Sequence, residues 1–234
     1  GPDQNLCNVA STNLAGNAIT TGAGMWSQVS GPNTATFTDA SNPTTTVTGL
    51  IPGTYVFGWT STYLTCSASD FVTINNYGLP STATTGGPLS ICNYTTPVLN
   101  GSTPVVGVGT WTQLAGPNTV TITAPNSPNS TLSGTIPGTY TFHWTISNGS
   151  CASTTATTDL TVNALPSIAI AGVDQDLCNL TSTTLAATAP TSGTGTWTLV
   201  SGPNTPTIAN VNLATSAISN LIPGTYLLDW TVAN

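Results

Sequence analysis

Lysine, arginine and glutamate are absent from this chain, and each absence removes a class of function. Phosphate binding relies on cations that release counterions, so nucleic acid is excluded as a partner. Anionic membrane surfaces are disfavoured for the same reason. A Lys–Asn isopeptide bond cannot form, and trypsin has nowhere to cut. Charged residues are 3% of the chain, against roughly 25% in ordinary domains. All of the acidity comes from seven aspartates, for a net charge of −7. No stretch approaches the roughly 18 apolar residues of a membrane span, and no signal peptide is visible in this numbering.

What is present is enough for a core. Hydrophobic residues make up 38% of the 234, and threonine, serine, asparagine and glycine are left to cover the surface. Threonine favours strands, while glycine and proline punctuate turns.

The chain also repeats itself. Cys7, Trp26, Gly31-Pro32-Asn33, Ile51-Pro52-Gly53-Thr54-Tyr55 and Trp59 recur as Cys92, Trp111, Gly116-Pro117-Asn118, Ile136-Pro137-Gly138-Thr139-Tyr140 and Trp144. They recur again as Cys178, Trp197, Gly202-Pro203-Asn204, Ile222-Pro223-Gly224-Thr225-Tyr226 and Trp230. Each first tryptophan follows its cysteine by 19 residues and precedes the second tryptophan by 33. Apolar class is kept at Leu14, Leu99 and Leu185, at Phe37, Ile122 and Ile208, and at Val47, Leu132 and Ile218. Core positions tolerate that kind of drift.

Short strands separated by regular turn signals predict an all-β fold of immunoglobulin-like sandwiches. After each Pro-Gly turn the aromatics alternate, as in Tyr55, Phe57 and Trp59, so one face is apolar and the other meets solvent. The core is expected to bury Trp26, Tyr55 and Trp59, with Trp111, Tyr140, Trp144, Trp197, Tyr226 and Trp230 at the equivalent positions. Val29, Leu114 and Val200 fall on the face opposite the first tryptophan, which leaves either a bulge or an apolar outer patch. Prolines at the joints Tyr77-Gly78-Leu79-Pro80 and Ala164-Leu165-Pro166 divide the chain into repeats 1–77, 78–165 and 166–234.

The set Gly-Pro-Asp-Gln-x-x-Cys, Gly-x-Trp-x-x-x-x-Gly-Pro-Asn and Pro-Gly-Thr-Tyr-x-Phe-x-Trp-Thr resembles the PKD-like, immunoglobulin-like repeats of large secreted surface proteins of Bacteroidota-type bacteria. The resemblance covers the whole chain. It implies seven-stranded sandwiches in series, secretion, and work in adhesion, surface layers or filaments. Antibody-type domains carry Tyr-x-Cys where this chain has Tyr55-x-Phe57, Tyr140-x-Phe142 and Tyr226-x-Leu228, so their inter-sheet disulfide has no counterpart.

Of five cysteines, Cys7 and Cys66 are 59 residues apart, as are Cys92 and Cys151. Equal spacing inside equal repeats predicts the pairs Cys7–Cys66 and Cys92–Cys151, each stabilising by about 4 kcal/mol in the chain-entropy account. Cys178 is left as an unpaired or intermolecular thiol, its partner position falling just past the last residue. Paired cysteines imply an oxidising compartment. No zinc pattern exists.

Catalytic machinery is not evident. His143, the only histidine, lies by parity on the outward face of its strand and reads as a surface residue, and no histidine or lysine is placed to activate the abundant serines and threonines. Cofactors are expected to be none. Metal is expected to be none as well, with Asp3, Asp174 and Asp176 as the calcium candidates at repeat entrances and turn formation as their competing role. Asn93, Asn100, Asn129, Asn148 and Asn179 open glycosylation sequons. Tyr63, Tyr77 and Tyr94 are aromatics without repeat equivalents, available to a ligand or to hinge packing.

The expected protein is therefore no enzyme. It is a structural module of an extracellular fibre, filament or surface stalk, with neighbouring copies or flanking repeats as partners. An adhesin binding glycans or neighbouring surfaces is the alternative. The first repeat begins without the lead-in strand that Ser167 to Ala171 represents in the third, and the third stops before its last strand. Each terminal sandwich is expected to be completed by another segment, from a longer polypeptide or from a neighbouring subunit.

Overall fold

A computed structural model describes residues 1–93 and 95–234 as strands, turns and connecting segments, with no helix among them. Tyr94 lies outside the described residues.

The first repeat contains β1 (Gln4–Cys7), β2 (Ser11–Asn13), β3 (Ala23–Ser30), β4 (Thr36–Phe37), β5 (Thr46–Thr48), β6 (Gly53–Tyr63) and β7 (Cys66–Tyr77). One sheet runs β1-β7-β6-β3 and the facing sheet β2-β5-β4. The second repeat follows with β8 (Leu89–Cys92), β9 (Val108–Ala115), β10 (Thr121–Ile122), β11 (Leu132–Ser133), β12 (Gly138–Ser147) and β13 (Thr154–Asn163), in sheets β8-β13-β12-β9 and β10-β11. The third has β14 (Ser182–Thr184), β15 (Thr194–Ser201), β16 (Thr207–Ile208), β17 (Ala217–Ser219) and β18 (Leu227–Ala233), in sheets β15-β18 and β14-β17-β16.

Each repeat has its own core cluster. The two tryptophans of a repeat sit opposite each other on adjacent strands, with ring centroids 5.1, 5.0 and 5.1 Å apart. The glycine two residues before the first tryptophan makes this possible. A Cβ on Gly24, Gly109 or Gly195 would lie 2.0–2.3 Å from the second tryptophan's ring. Leu14, Leu99 and Leu185 are buried, as are Val47, Leu132 and Ile218.

The motifs at the other end form one hydrogen-bonded corner. Tyr140 Oη accepts from Ile136 N at 2.8 Å and donates to the Asn118 side chain, whose amide donates to Gly134 O at 2.8 Å. Tyr55 with Asn33, and Tyr226 with Asn204, repeat the arrangement. Gly53, Gly138 and Gly224 adopt φ between +141° and +147° against Pro32, Pro117 and Pro203, which strongly favours glycine there. Replacing Tyr140 by Phe leaves Ile136 N and the partly buried Asn118 side chain without their partner and should lower stability by about 1 kcal/mol. A shift in the urea midpoint at unchanged slope reads it; Tyr226→Phe, where the ring is only half-buried, should cost less.

Three expectations are corrected and one open alternative is resolved. Tyr226 and Leu228 are only partly buried, unlike Tyr55 and Tyr140 at 0% exposure. In the first two repeats the last strand covers this position, with Tyr55 opposite Ile74 and Tyr140 opposite Leu160; no described strand lies there beside β18. Second, the outer face of β6 is not simply solvated, because Phe71 and Val29 close over Gly58. Third, the parity conflict resolves as both alternatives together: the register slips at Val29, Leu114 and Val200, and all three are more than half exposed. Fourth, the lead-ins are not regular strands. Ser81 to Gly86 is an extended segment with one isolated bridge, Thr85 with Gly101, made by Gly86 N to Asn100 O at 2.8 Å and Ser102 N to Thr84 O at 2.9 Å, and Ser167 to Ala171 is held by bonds such as Thr188 N to Ile170 O at 2.9 Å.

Candidate functional site: the joint between repeats

No group of three His, Cys, Asp or Glu side chains gathers among the described residues. Asp3 accepts a bond from Thr73 N at 2.8 Å, which ties the chain's start to β7. Asp174 and Asp176 are exposed. His143 stands half-exposed between Thr112 and Thr157 on neighbouring strands. Ser41, through its hydroxyl and its N–H, holds the Asp39 carboxyl below the usual carboxylate range at a loop tip.

The chemistry of interest lies where the first repeat meets the second. Cys7 is bonded to Cys151, with Cα atoms 4.9 Å apart, and Cys66, Cys92 and Cys178 are free and exposed. The expected pairs Cys7–Cys66 and Cys92–Cys151 are therefore corrected. The reason lies in strand direction. β1 runs parallel to β7, with Cys7 opposite Tyr77 at the far end of that strand, whereas Cys66 begins it at the hairpin tip beside Tyr63. Eleven residues of strand separate Cys66 from Tyr77, about 36 Å. A disulfide spans less than about 7 Å between Cα atoms. Cys92 opposite Asn163 is equally remote from Cys151.

Cys151 reaches Cys7 because the chain leaves β7 at Tyr77, beside Cys7, and the hairpin tip of the second repeat folds back onto that end. Tyr77 lies flat on Gly149, where a Cβ would stand 2.3 Å from its ring. Asn148 donates its amide to Gly78 O at 2.8 Å. Ser81 N donates to Val106 O at 3.0 Å, and Ser81 Oγ accepts from Val105 and Val106 N. Asn76, 2% exposed, bonds Val9 N, Val9 O and Ile51 O and stiffens the same end. A shallow cleft of about 540 Å³ runs along this joint.

The second joint repeats these contacts. Asn234 donates to Ala164 O as Asn148 does to Gly78 O, and Ser167 N donates to Ser192 O at 2.9 Å as Ser81 N does to Val106 O. The reading of the sequence missed these residues, although Pro80-Ser81 with Pro166-Ser167, and an asparagine four residues after Trp144 and Trp230, were visible there. Asn148, read as a sequon, is half-buried in the joint; Asn93, Asn100, Asn129 and Asn179 are exposed. Of the unrepeated tyrosines, Tyr77 packs in the joint and Tyr63 is 55% exposed.

In the third repeat a cavity of about 840 Å³ opens between the segment around Cys178 and β18, lined by Trp197, Ile218, Leu221, Tyr226 and Leu228. In the first two repeats the last strand fills this place.

These sandwiches and joints define a tandem array of immunoglobulin-like β-sandwich domains. Within that class the chain belongs to the K319L-like PKD domain family, which it matches over residues 1–75 and 95–162. Among solved structures it is similar to titin domains I67–I69, at TM-score 0.56 and 11% identity over 98% of this chain and 90% of that one. The N-terminal four immunoglobulin domains of Dscam1 isoform 6.9 align with 69% of this chain at 10% identity and TM-score 0.42, and 43% of that chain is covered. The curated proteins contain no match. At 11% identity the likeness to the titin domains is one of fold. No helix of the described residues is long and apolar enough to cross a membrane.

Proposed function

We propose that this chain is a load-bearing, non-catalytic piece of an extracellular fibre or cell-surface stalk, built from the three repeats 1–77, 78–165 and 166–234. The observation that carries this reading is the joint. The same asparagine and serine contacts recur at both junctions, and one junction carries a covalent link. Successive domains held in one repeated relation build an extended rod. A disulfide between domains belongs to an oxidising compartment, outside the cytoplasm. Secretion to the surface, as in Bacteroidota-type repeat proteins, fits a chain without ammonium or guanidinium groups, whose cohesion rests on packing, hydrogen bonds and sulfur. The partners are further repeats of this kind, whether in the same polypeptide or in neighbouring copies. A strand from one of them occupies the open edge beside β18, where unpaired backbone and Tyr226 await cover.

Electron micrographs of the protein isolated from its source test this: uniform fibres or stalks are expected. Dispersed globular particles would overturn it. Glycan-array binding lost on Tyr63→Ala would replace it with the adhesin reading.

A further inference from the structure

The three exposed thiols are not scattered; each stands at a position equivalent to one half of the bonded pair. The formed bond joins the first cysteine of one repeat, Cys7, to the second cysteine of the next, Cys151. Cys92 and Cys178 are first cysteines, and Cys66 is a second cysteine. Cys92 and Asn163 are paired in register at the lower end of the second repeat, as Cys7 and Tyr77 are in the first. Asn234 then touches Ala164 in the second joint as Asn148 touches Gly78 in the first. The second joint thus shares that asparagine contact with the bonded one.

We propose that Cys7–Cys151 is one rung of a continuous ladder. The first cysteine of every repeat bonds the second cysteine of the repeat that follows it. Cys92 and Cys178 each take the second cysteine of the next repeat along, and Cys66 takes the first cysteine of a preceding one. The partner is a repeat of this same kind. Each rung forms as two thiols lose two protons and two electrons to the disulfide of a thiol–disulfide oxidoreductase, which leaves as the dithiol. The inference rests on the array reading for its oxidising compartment and its neighbouring repeats.

The ladder has a mechanical consequence that in-repeat bonds lack. Its loops overlap, so tension crosses from Cys7 to Cys151, follows the backbone to Cys178, and crosses again. Only the 27 residues between Cys151 and Cys178 carry that path, about 90 Å when fully extended. Two folded repeats, each about a 12-residue strand in height, already span about 80 Å. Unfolding every domain would therefore hardly lengthen the array. Without rungs the 171 residues from Cys7 to Cys178 would pull out to about 580 Å.

The test is disulfide mapping of the protein as isolated from its source. Thiols are blocked with N-ethylmaleimide before any reduction, and digestion uses chymotrypsin because trypsin has no site. The expected result is Cys66 linked to a first-type cysteine, Cys92 and Cys178 each linked to a second-type cysteine, and none of the three alkylated. An alkylated Cys66, Cys92 or Cys178 overturns the ladder, and so does any link within one repeat or between Cys66 and Cys92. Mass before and after reduction separates two sources of the partner that both support it. An unchanged mass places the neighbouring repeat in the same polypeptide, and a mass divided on reduction places it in a second copy. Fibres whose thiols are all alkylated overturn the ladder and leave the array standing. Mapped rungs in a protein that forms no fibre or stalk do the reverse.

Discussion

Held by its ends and pulled, the oxidised chain should stop short of its reduced contour length by about 500 Å. The Cys7–Cys151 bond brackets 144 residues. Force passes through the sulfur bridge, so those residues can unfold without adding length. Adding a reductant should release the hidden segment in one experiment, and Cys7→Ser should release it without a reductant. The size of the step identifies the pairing. Had Cys7 bonded Cys66, 59 residues away, Cys7→Ser would release only about 200 Å. Traces of equal length before and after reduction would show that no bond crosses the joint. The same substitution exposes the joint to bending, because Tyr77 on Gly149 and Asn148 on Gly78 then hold it alone.

The second large effect concerns a glycine. In Gly109→Ala the new Cβ would stand 2.0 Å from the Trp144 ring, which is fully buried and packed against Trp111, with centroids 5.0 Å apart and planes tilted by 39°. Trp144 has nowhere to retreat, since its indole N–H donates to Ser102 O at 3.0 Å and its register partner is Trp111. The substitution should destabilise the second repeat by about 3 kcal/mol, the upper part of the range for overpacking. Trp144→Ala alone should cost about 4 kcal/mol through the cavity it leaves. The double substitution should cost little more than Trp144→Ala, because the clash disappears with the ring. Additive losses in the double-mutant cycle, read by urea unfolding, would show that the glycine serves some purpose other than admitting the indole. By contrast a Cβ on Gly134 meets nothing within 4 Å, so Gly134→Ala should cost only the strain of its φ of +81°.

Much of this architecture was legible because the repeat is also a filter. The tryptophan pairs and the leucines at Leu14, Leu99 and Leu185 are kept at the same offset three times and are buried in all three cores. The recurrent Gly-Pro-Asn and Ile-Pro-Gly-Thr-Tyr motifs read as turns, and the structure adds that they are one object, joined by a tyrosine hydroxyl. Val29, Leu114 and Val200 announced themselves by breaking the alternation, which is what a bulge does to a period of two. Tyr226 is only half-buried because no described strand pairs with β18 on the side where β7 and β13 cover Tyr55 and Tyr140.

By itself the sequence determined the all-β class, the tandem immunoglobulin-like repeats and most residues of each core, because local periodicity and side-chain chemistry set these. The partner of Cys7 was decided only by the tertiary structure. In a repeating chain, a spacing argument is unchanged when one partner is moved by a whole repeat, so in-repeat and next-repeat pairs look alike. The tie is broken by direction. The parallel pairing of β1 with β7 puts Cys7 at the bottom of its sandwich and Cys66 at the top, and the following repeat brings Cys151 to the bottom, within bonding distance.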